Sequence, residues 1–113
     1  MFNKNQDERF IEVFKASIQE TMQSLIGESP SKALLFHLKF PESAERPTEF
    51  SANLRTVLRD GSPVVENAIL KRLWDKMGLF LVHASESGSF VERVGRAREL
   101  YAERQKQRQV FAR

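Results

Sequence analysis

The chain has 113 residues and a formal net charge of +3, which fits one small domain. Cysteine is absent, which excludes disulfide bonds, thiol catalysis and thiolate metal sites. The first ten residues, MFNKNQDERF, are polar and unlike a secretory signal, and no apolar run approaches the ~20 residues that a membrane span needs. We therefore expect a cytoplasmic protein without a membrane segment.

The first half of the chain is patterned for helices. A first segment, at 7–26, carries apolar residues three or four positions apart: Ile11, Phe14, Ile18, Met22 and Leu25. Gly27 stands where a left-handed helix end is favoured, and Ser29-Pro30 then reads as the N-cap and first residue of a second helix. That helix is apolar on most sides until Pro41, so we expect it near the centre of the core.

Two further segments follow a polar loop, PESAERP. The third starts near Pro47-Thr48 and ends at Gly61, with an apolar face of Phe50, Leu54, Val57 and Leu58. In the fourth, Ser62 is expected to cap the helix, Pro63 to follow it, and Gly78 to end it. Its apolar stripe is Val65, Ile69, Leu73 and Met77, and a second row, Leu70 and Trp74, predicts neighbours on two sides.

The last helix begins with a capping box. Ser89 and Glu92 have the S-x-x-E spacing, and the stripe behind them is Phe90, Val94, Ala97 and Tyr101. LFLV at 79–82 is either a short strand or an extended piece. We predict an all-α, compact single-domain bundle of about five helices with a short extended connector at 79–83. The helical domain spans 1–103, and 104–113 form a basic C-terminal extension of the last helix.

Catalytic and metal-binding signals are weak. His37 and His83 are the two possible histidine bases, and each is better explained as a structural residue. There is no nucleophile elbow, no zinc motif and no glycine-rich phosphate loop. Glu8 and Glu12 share one helix face, which solvation of a helix surface explains. We expect no enzymatic activity, no catalytic residue, no metal and no cofactor.

The C-terminal part of the chain is basic. Residues 1–88 hold eleven Lys/Arg against twelve Asp/Glu, whereas residues 89–113 hold seven against three. A row of cations along the last helix could follow the phosphates of DNA or RNA: Arg93, Arg96, Arg104, Lys106 and Arg108. Glutamates border this row, which favours a solvated helix face. A nucleic-acid-binding regulator is therefore the alternative function.

Self-association or a protein partner is the leading hypothesis. Val91, Gly95 and Ala102 form a strip of small side chains where another helix could approach closely. If helical to Phe111, the last segment is ~34 Å long, whereas a domain of this size has a radius of gyration of ~13 Å. Its tip, Val110 and Phe111, then overhangs the domain and contacts another surface, or frays. We predict a homodimer or a protein-partner complex through these five residues.

The order of the segments resembles the Nitrosopumilus output domain family of the fifth type, over about 14–101. Its features here are an A-L-x-x-x-L helix, a P-x-x-F helix start, an I-L-x-x-L-W segment and a final F-x-x-x-V: Ala33, Leu34, Leu38, Pro47, Phe50, Ile69, Leu70, Leu73, Trp74, Phe90 and Val94. One departure is the short loop after Phe40, where relatives often carry a longer charged stretch.

The resemblance implies a function as well as a fold. That small archaeal family is proposed to supply output or interaction modules in signal transduction, and no enzymatic activity is established for it. The resemblance therefore implies a non-enzymatic cytoplasmic interaction module and brings no catalytic residues. The residues after Tyr101 lie outside it.

Overall fold

A computed structural model describes the backbone of residues 4–78 and 88–111, and the side chains of 7–78 and 88–104. The α-helices are α1 (Lys4–Ile26), α2 (Glu28–His37), α3 (Pro47–Leu58), α4 (Ser62–Lys76) and α5 (Phe90–Phe111). Four of these have twelve residues or more, and α2 has ten. The prediction of an all-α single domain is confirmed. The predicted connector at 79–83 lies outside the described residues.

Helix α1 lies at the centre of the domain and packs against α2, α4 and α5. Its predicted stripe is buried through Met22, but Leu25 is 50% exposed, so the buried face ends one turn before the helix does. The α4 rows also agree with the prediction, because Ile69, Leu73, Leu70 and Trp74 are all buried. Helix α4 reaches its neighbours on two sides through these rows, contacting both α1 and α5.

Aromatic rings tie three helices together. The Phe14 ring of α1 lies 6.2 Å from Phe10, 6.4 Å from Phe50 of α3 and 6.2 Å from Phe90 of α5, measured between centroids. Phe50 and Phe90 are themselves 6.1 Å apart, and Phe10 lies 5.9 Å from Tyr101. Such separations suit offset and edge-on aromatic pairs. The cluster fixes the amino-terminal half of α1 between α3 and α5.

The predicted central position of the second helix is wrong. Within α2 the buried residues are Ser31 and Leu35, and Phe36 is 80% exposed. The helix packs mainly against α1, so only one narrow face of it is buried in the core. Leu34 is half-buried, and Ala33 and Phe36 are exposed, although the sequence pattern is apolar on most sides of the helix.

The ends of α2 also differ from the prediction. Gly27, with φ of 89°, is the N-cap residue, so Ser29 lies inside the helix and does not cap it. The helix ends at His37 instead of reaching Phe40, because Lys39 adopts a left-handed φ of 60°. The loop that follows contains a 3-10 helix, Glu42–Glu45, whose Ser43 and Ala44 are buried. Part of the expected polar loop therefore belongs to the core.

The two serine caps at the later helices have different outcomes. Ser62 is a buried first residue of α4, and Gly61 occupies the N-cap position instead. The capping box of α5 is confirmed, since the Glu92 N–H donates to Ser89 Oγ at 3.1 Å and the Ser89 N–H donates to Glu92 Oε1 at 3.4 Å. This reciprocal pair fixes where α5 begins.

Candidate interaction surfaces

Within the predicted row of cations on α5, the described side chains form hydrogen bonds or ion pairs with other residues of the chain. Arg93 Nη1 donates to Asn67 Oδ1 at 3.2 Å, and Arg96 pairs with Glu99 at 3.4 Å. Arg104 Nη1 donates to the backbone carbonyl of Met77. The side chains of Lys106 and Arg108 lie outside the described residues. Three of the five cations proposed for phosphate contacts therefore already have partners on the domain.

Arg104 was predicted to open a basic extension, yet its guanidinium caps the C-terminal end of α4. Cations at that end of a helix interact favourably with its unsatisfied carbonyls. Gly78 has φ of 71°, and a Cβ at that position would lie 3.2 Å from Arg104 Nη1. The positive φ favours glycine at position 78, and the Arg104 guanidinium lies close beside it where α4 ends. Sequence reasoning found the glycine but missed the arginine.

The small-residue strip on α5 is open in part. Gly95 is exposed, and a Cβ placed there would meet nothing within 4 Å. Val91 and Ala102, on the same side of the helix, are half-buried. The α5 backbone is helical to Phe111, as the self-association hypothesis requires, but the side chains of Val110 and Phe111 lie outside the described residues. Gly95 therefore has no packing partner within the described chain.

A second surface, missed by the sequence reasoning, lies on α2. Phe36 is the most exposed of the large hydrophobic side chains in the described part of the chain. Lys32, His37 and Lys39 are exposed beside it in sequence, and the His37 ring lies edge-on to Phe36 at 5.9 Å. Residues 29–41 contain no acidic residue. We call Phe36 with Lys32, His37 and Lys39 the α2 knob.

An open depression of opposite charge lies between the start of α1, the 3-10 helix and α5. Its volume is about 700 Å3, and its lining includes the carboxylates of Glu8, Glu12 and Glu45. Arg9 is the one cation among the described residues of the lining, while half-buried Val13 and Tyr101 contribute apolar surface. We call this depression the acidic hollow. The sequence placed Glu8 and Glu12 on one helix face but could not show that Glu45 joins them.

A groove of about 390 Å3 separates the C-terminal half of α1 from α4. Thr21, Leu25, Lys71, Arg72 and Asp75 contribute to its lining. The Thr21 hydroxyl is buried and has no hydrogen-bond partner within the described structure.

An ion-paired carboxylate lies on α1 one residue before Thr21. Glu20 lies 2.8 Å from Lys76 and 3.4 Å from Arg72. The pKa of Glu20 lies below its ordinary value, mainly because of its hydrogen bond with Lys76. The charge of Lys76 and the hydrogen bond and charge of Arg72 lower this pKa further, while desolvation opposes the shift. Arg72, which lines the groove, is therefore already paired inside the chain.

The histidines and carboxylates of the described structure are spread over several elements. His37 is exposed on α2, and His83 lies outside the described residues. Glu66 is buried, and its Oε2 accepts a hydrogen bond from Ser51 Oγ at 2.6 Å, joining α4 to α3. Among the residues described, no group of three or more His, Cys, Asp or Glu side chains could hold a metal ion. In the described part of the chain, no helix combines the length and apolar character needed to cross a membrane.

The chain matches no protein-family model, no curated protein and no solved structure. Most residues that carry the family resemblance are core residues: Leu38, Phe50, Ile69, Leu70, Leu73, Trp74, Phe90 and Val94 are buried. Those positions account for helix packing and do not identify a binding site. Family membership therefore stays a prediction.

Proposed function

We propose that this chain is a non-enzymatic protein–protein interaction module that associates with copies of itself. The 80% exposure of Phe36 on α2 carries this proposal. Large aromatic side chains are enriched where proteins bind one another, and contiguous exposed apolar surface marks such sites.

Protein binding is favoured over catalysis by the surroundings of the titratable side chains. His37 is exposed and its ring contacts Phe36, which is unlike the oriented, partly buried position of a general base. The Glu66 carboxylate is buried and accepts a hydrogen bond from the Ser51 hydroxyl. A role in archaeal cytoplasmic signal transduction, as the family resemblance implies, is part of the same proposal and depends on that resemblance alone.

Nucleic-acid binding is the second candidate, because residues 89–113 carry seven Lys/Arg against three Asp/Glu. It is weaker because Arg93, Arg96 and Arg104 each hold a contact within the domain. A phosphate contact would compete with those partners. Salt separates the two proposals, since binding to phosphates weakens steeply as salt rises while apolar association does not.

The test of self-association is the molar mass in solution, measured by sedimentation velocity from ~10 μM to ~1 mM, a range suited to weak association. We expect the mass to rise with concentration above the 13.1 kDa of one chain. A constant mass of one chain over this range would contradict it. Binding of DNA or RNA fragments that is lost at high salt would favour the second candidate.

A further inference from the structure

We propose that the α2 knob of one copy binds in the acidic hollow of a second copy, so that the molecules associate head to tail. The contact joins an exposed phenylalanine with a basic surround to a depression with an acidic surround. This inference rests on the proposed self-association and specifies its interface.

The knob carries positive charge that is free to meet an acidic partner. No described side chain forms an ion pair with Lys39. Lys32 pairs with Glu28 at 3.3 Å, and both side chains are well exposed. Exposed pairs of this kind contribute little, so Lys32 can exchange Glu28 for another carboxylate.

The hollow carries unbalanced negative charge. Within the described structure, no ion pair joins Glu8, Glu12 or Glu45 to another side chain. Glu8 and Glu12 are four residues apart on α1, a spacing at which like charges destabilise a helix. Two lysines arriving from a second copy would relieve that repulsion, and opposite potentials of this kind select the partner and its orientation.

The hollow also suits the shape and polarity of the knob. Its volume of about 700 Å3 lies within the ~300–1,000 Å3 of pockets that enclose drug-sized molecules, so an aromatic side chain fits with room for its neighbours. Val13 and Tyr101 offer apolar surface to the Phe36 ring, and aromatic pairs gain beyond their buried area. The lysines then lie at the edge, among the carboxylates.

The occupant is a second copy because the knob matches the hollow in charge and does not lie in the hollow of its own chain. Phe36 is 80% exposed, and no residue of the knob lines the depression. The two surfaces also come from different elements, α2 on one side and α1, the 3-10 helix and α5 on the other. Arranged head to tail, the contact is heterologous: each molecule that has used its knob keeps an empty hollow, and assembly continues to rings or open chains.

Two variants that each remove one surface test the proposal. Phe36→Glu destroys the knob and keeps the hollow, while Glu12→Lys removes the attraction of the hollow and keeps the knob. Each variant alone is expected to sediment as one chain of 13.1 kDa. Mixed in equal amounts, they are expected to form a pair and to stop there, because one intact knob meets one intact hollow. Phe36→Ala is expected to weaken parent association about 30-fold.

Matched controls separate the contact from a general change of charge or stability. Val64→Glu alters an exposed apolar residue of α4, 68% exposed, by the same charge as Phe36→Glu. Asp75→Lys makes the same charge change as Glu12→Lys on an exposed position of α4. Both controls should associate like the parent protein. Thermal unfolding followed by circular dichroism should show all four variants folded, since every altered side chain is exposed.

Each outcome decides between the contact and the wider proposal. If Phe36→Glu and Glu12→Lys both associate like the parent protein, the head-to-tail contact is overturned while self-association stands. Loss of association in a Val110→Asp, Phe111→Asp variant would then assign the interface to the tip of α5. Variants that are monomeric alone and remain so when mixed would indicate an isologous interface and also overturn the contact. A monomeric parent protein at ~1 mM would remove both proposals.

Discussion

Replacing Phe14 by alanine should destabilise the domain by about 4 kcal/mol. Phe14 is fully buried, and its ring contacts those of Phe10, Phe50 and Phe90. A buried phenylalanine covers ~150–250 Å2, which at ~25 cal/mol per Å2 is worth about 4–6 kcal/mol as an upper bound. Measured losses for such truncations are about 3–5 kcal/mol. Since domains of this size are stable by about 5–15 kcal/mol, the variant should be only marginally folded.

Urea unfolding followed by far-ultraviolet circular dichroism measures this loss. With a slope of about 2 kcal/mol per M, the midpoint should fall by about 2 M. Phe36→Ala is the matched control, because it removes the same atoms from a side chain that is 80% exposed. Its free energy of unfolding should change by no more than the ±0.5 kcal/mol typical of surface substitutions. Phe14→Leu, which keeps most of the apolar volume, should lie between the two and stay folded.

The comparison of the two phenylalanines can refute the assignment of core and surface. Equal losses for Phe14→Ala and Phe36→Ala would mean that α2 is buried in solution, and the knob would no longer exist. A loss below about 1.5 kcal/mol for Phe14→Ala, well under the usual range, would mean that the aromatic cluster does not hold α1 against α3 and α5.

Three further predictions concern local interactions. Lys76 and Arg72 lower the pKa of Glu20 below its ordinary value of 4.5. The ionised carboxylate therefore stabilises the fold above that pH, and this contribution disappears as the pH falls through the lowered pKa. Glu20→Gln should flatten the acid limb of the curve of stability against pH. Ser89→Ala should cost about 1 kcal/mol in urea unfolding, because it removes the cap of α5, and an unchanged midpoint would contradict the capping role. Gly95→Ala should raise the free energy of unfolding by up to about 1 kcal/mol, since its Cβ meets nothing within 4 Å, whereas weaker self-association in this variant would show that a second helix packs there.

The sequence predicted the helices whose apolar residues repeat at helical spacing and form a buried row. The stripes of α1, α4 and α5 are of this kind: Phe14, Ile69 and Val94 each lie in a buried row. The capping box at Ser89 was equally readable, because both of its hydrogen bonds join residues three apart. Local spacing carries all of this information, so no tertiary contact had to be known.

Helix α2 was misplaced because composition does not specify how many neighbours a helix has. Leu34, Leu35 and Phe36 are adjacent in the chain and similarly apolar, yet they are half-buried, buried and exposed in turn. Only the packing of α2 mainly against α1 distinguishes them. The α2 knob could not have been predicted for the same reason, since an exposed phenylalanine and a buried one look alike in a sequence.

The other contacts that the sequence did not predict join residues that are distant along the chain. Arg104 reaches the carbonyl of Met77, 27 positions earlier, and Ser51 reaches Glu66, 15 positions later. The acidic hollow needs Glu45 and Tyr101 to meet the start of α1. Such contacts depend on how the helices cross, which residue spacing alone does not determine.

The peripheral position of α2 also predicts where local unfolding of the domain begins. Ser31 and Leu35 are the buried residues of this helix, and none of its residues belongs to the aromatic cluster around Phe14. Its amide protons should therefore exchange with solvent at a lower opening free energy than those of α1 or α4. A ligand that holds α2 in place would slow that exchange, so hydrogen exchange at α2 would report occupancy of the Phe36 surface without any label attached to the chain.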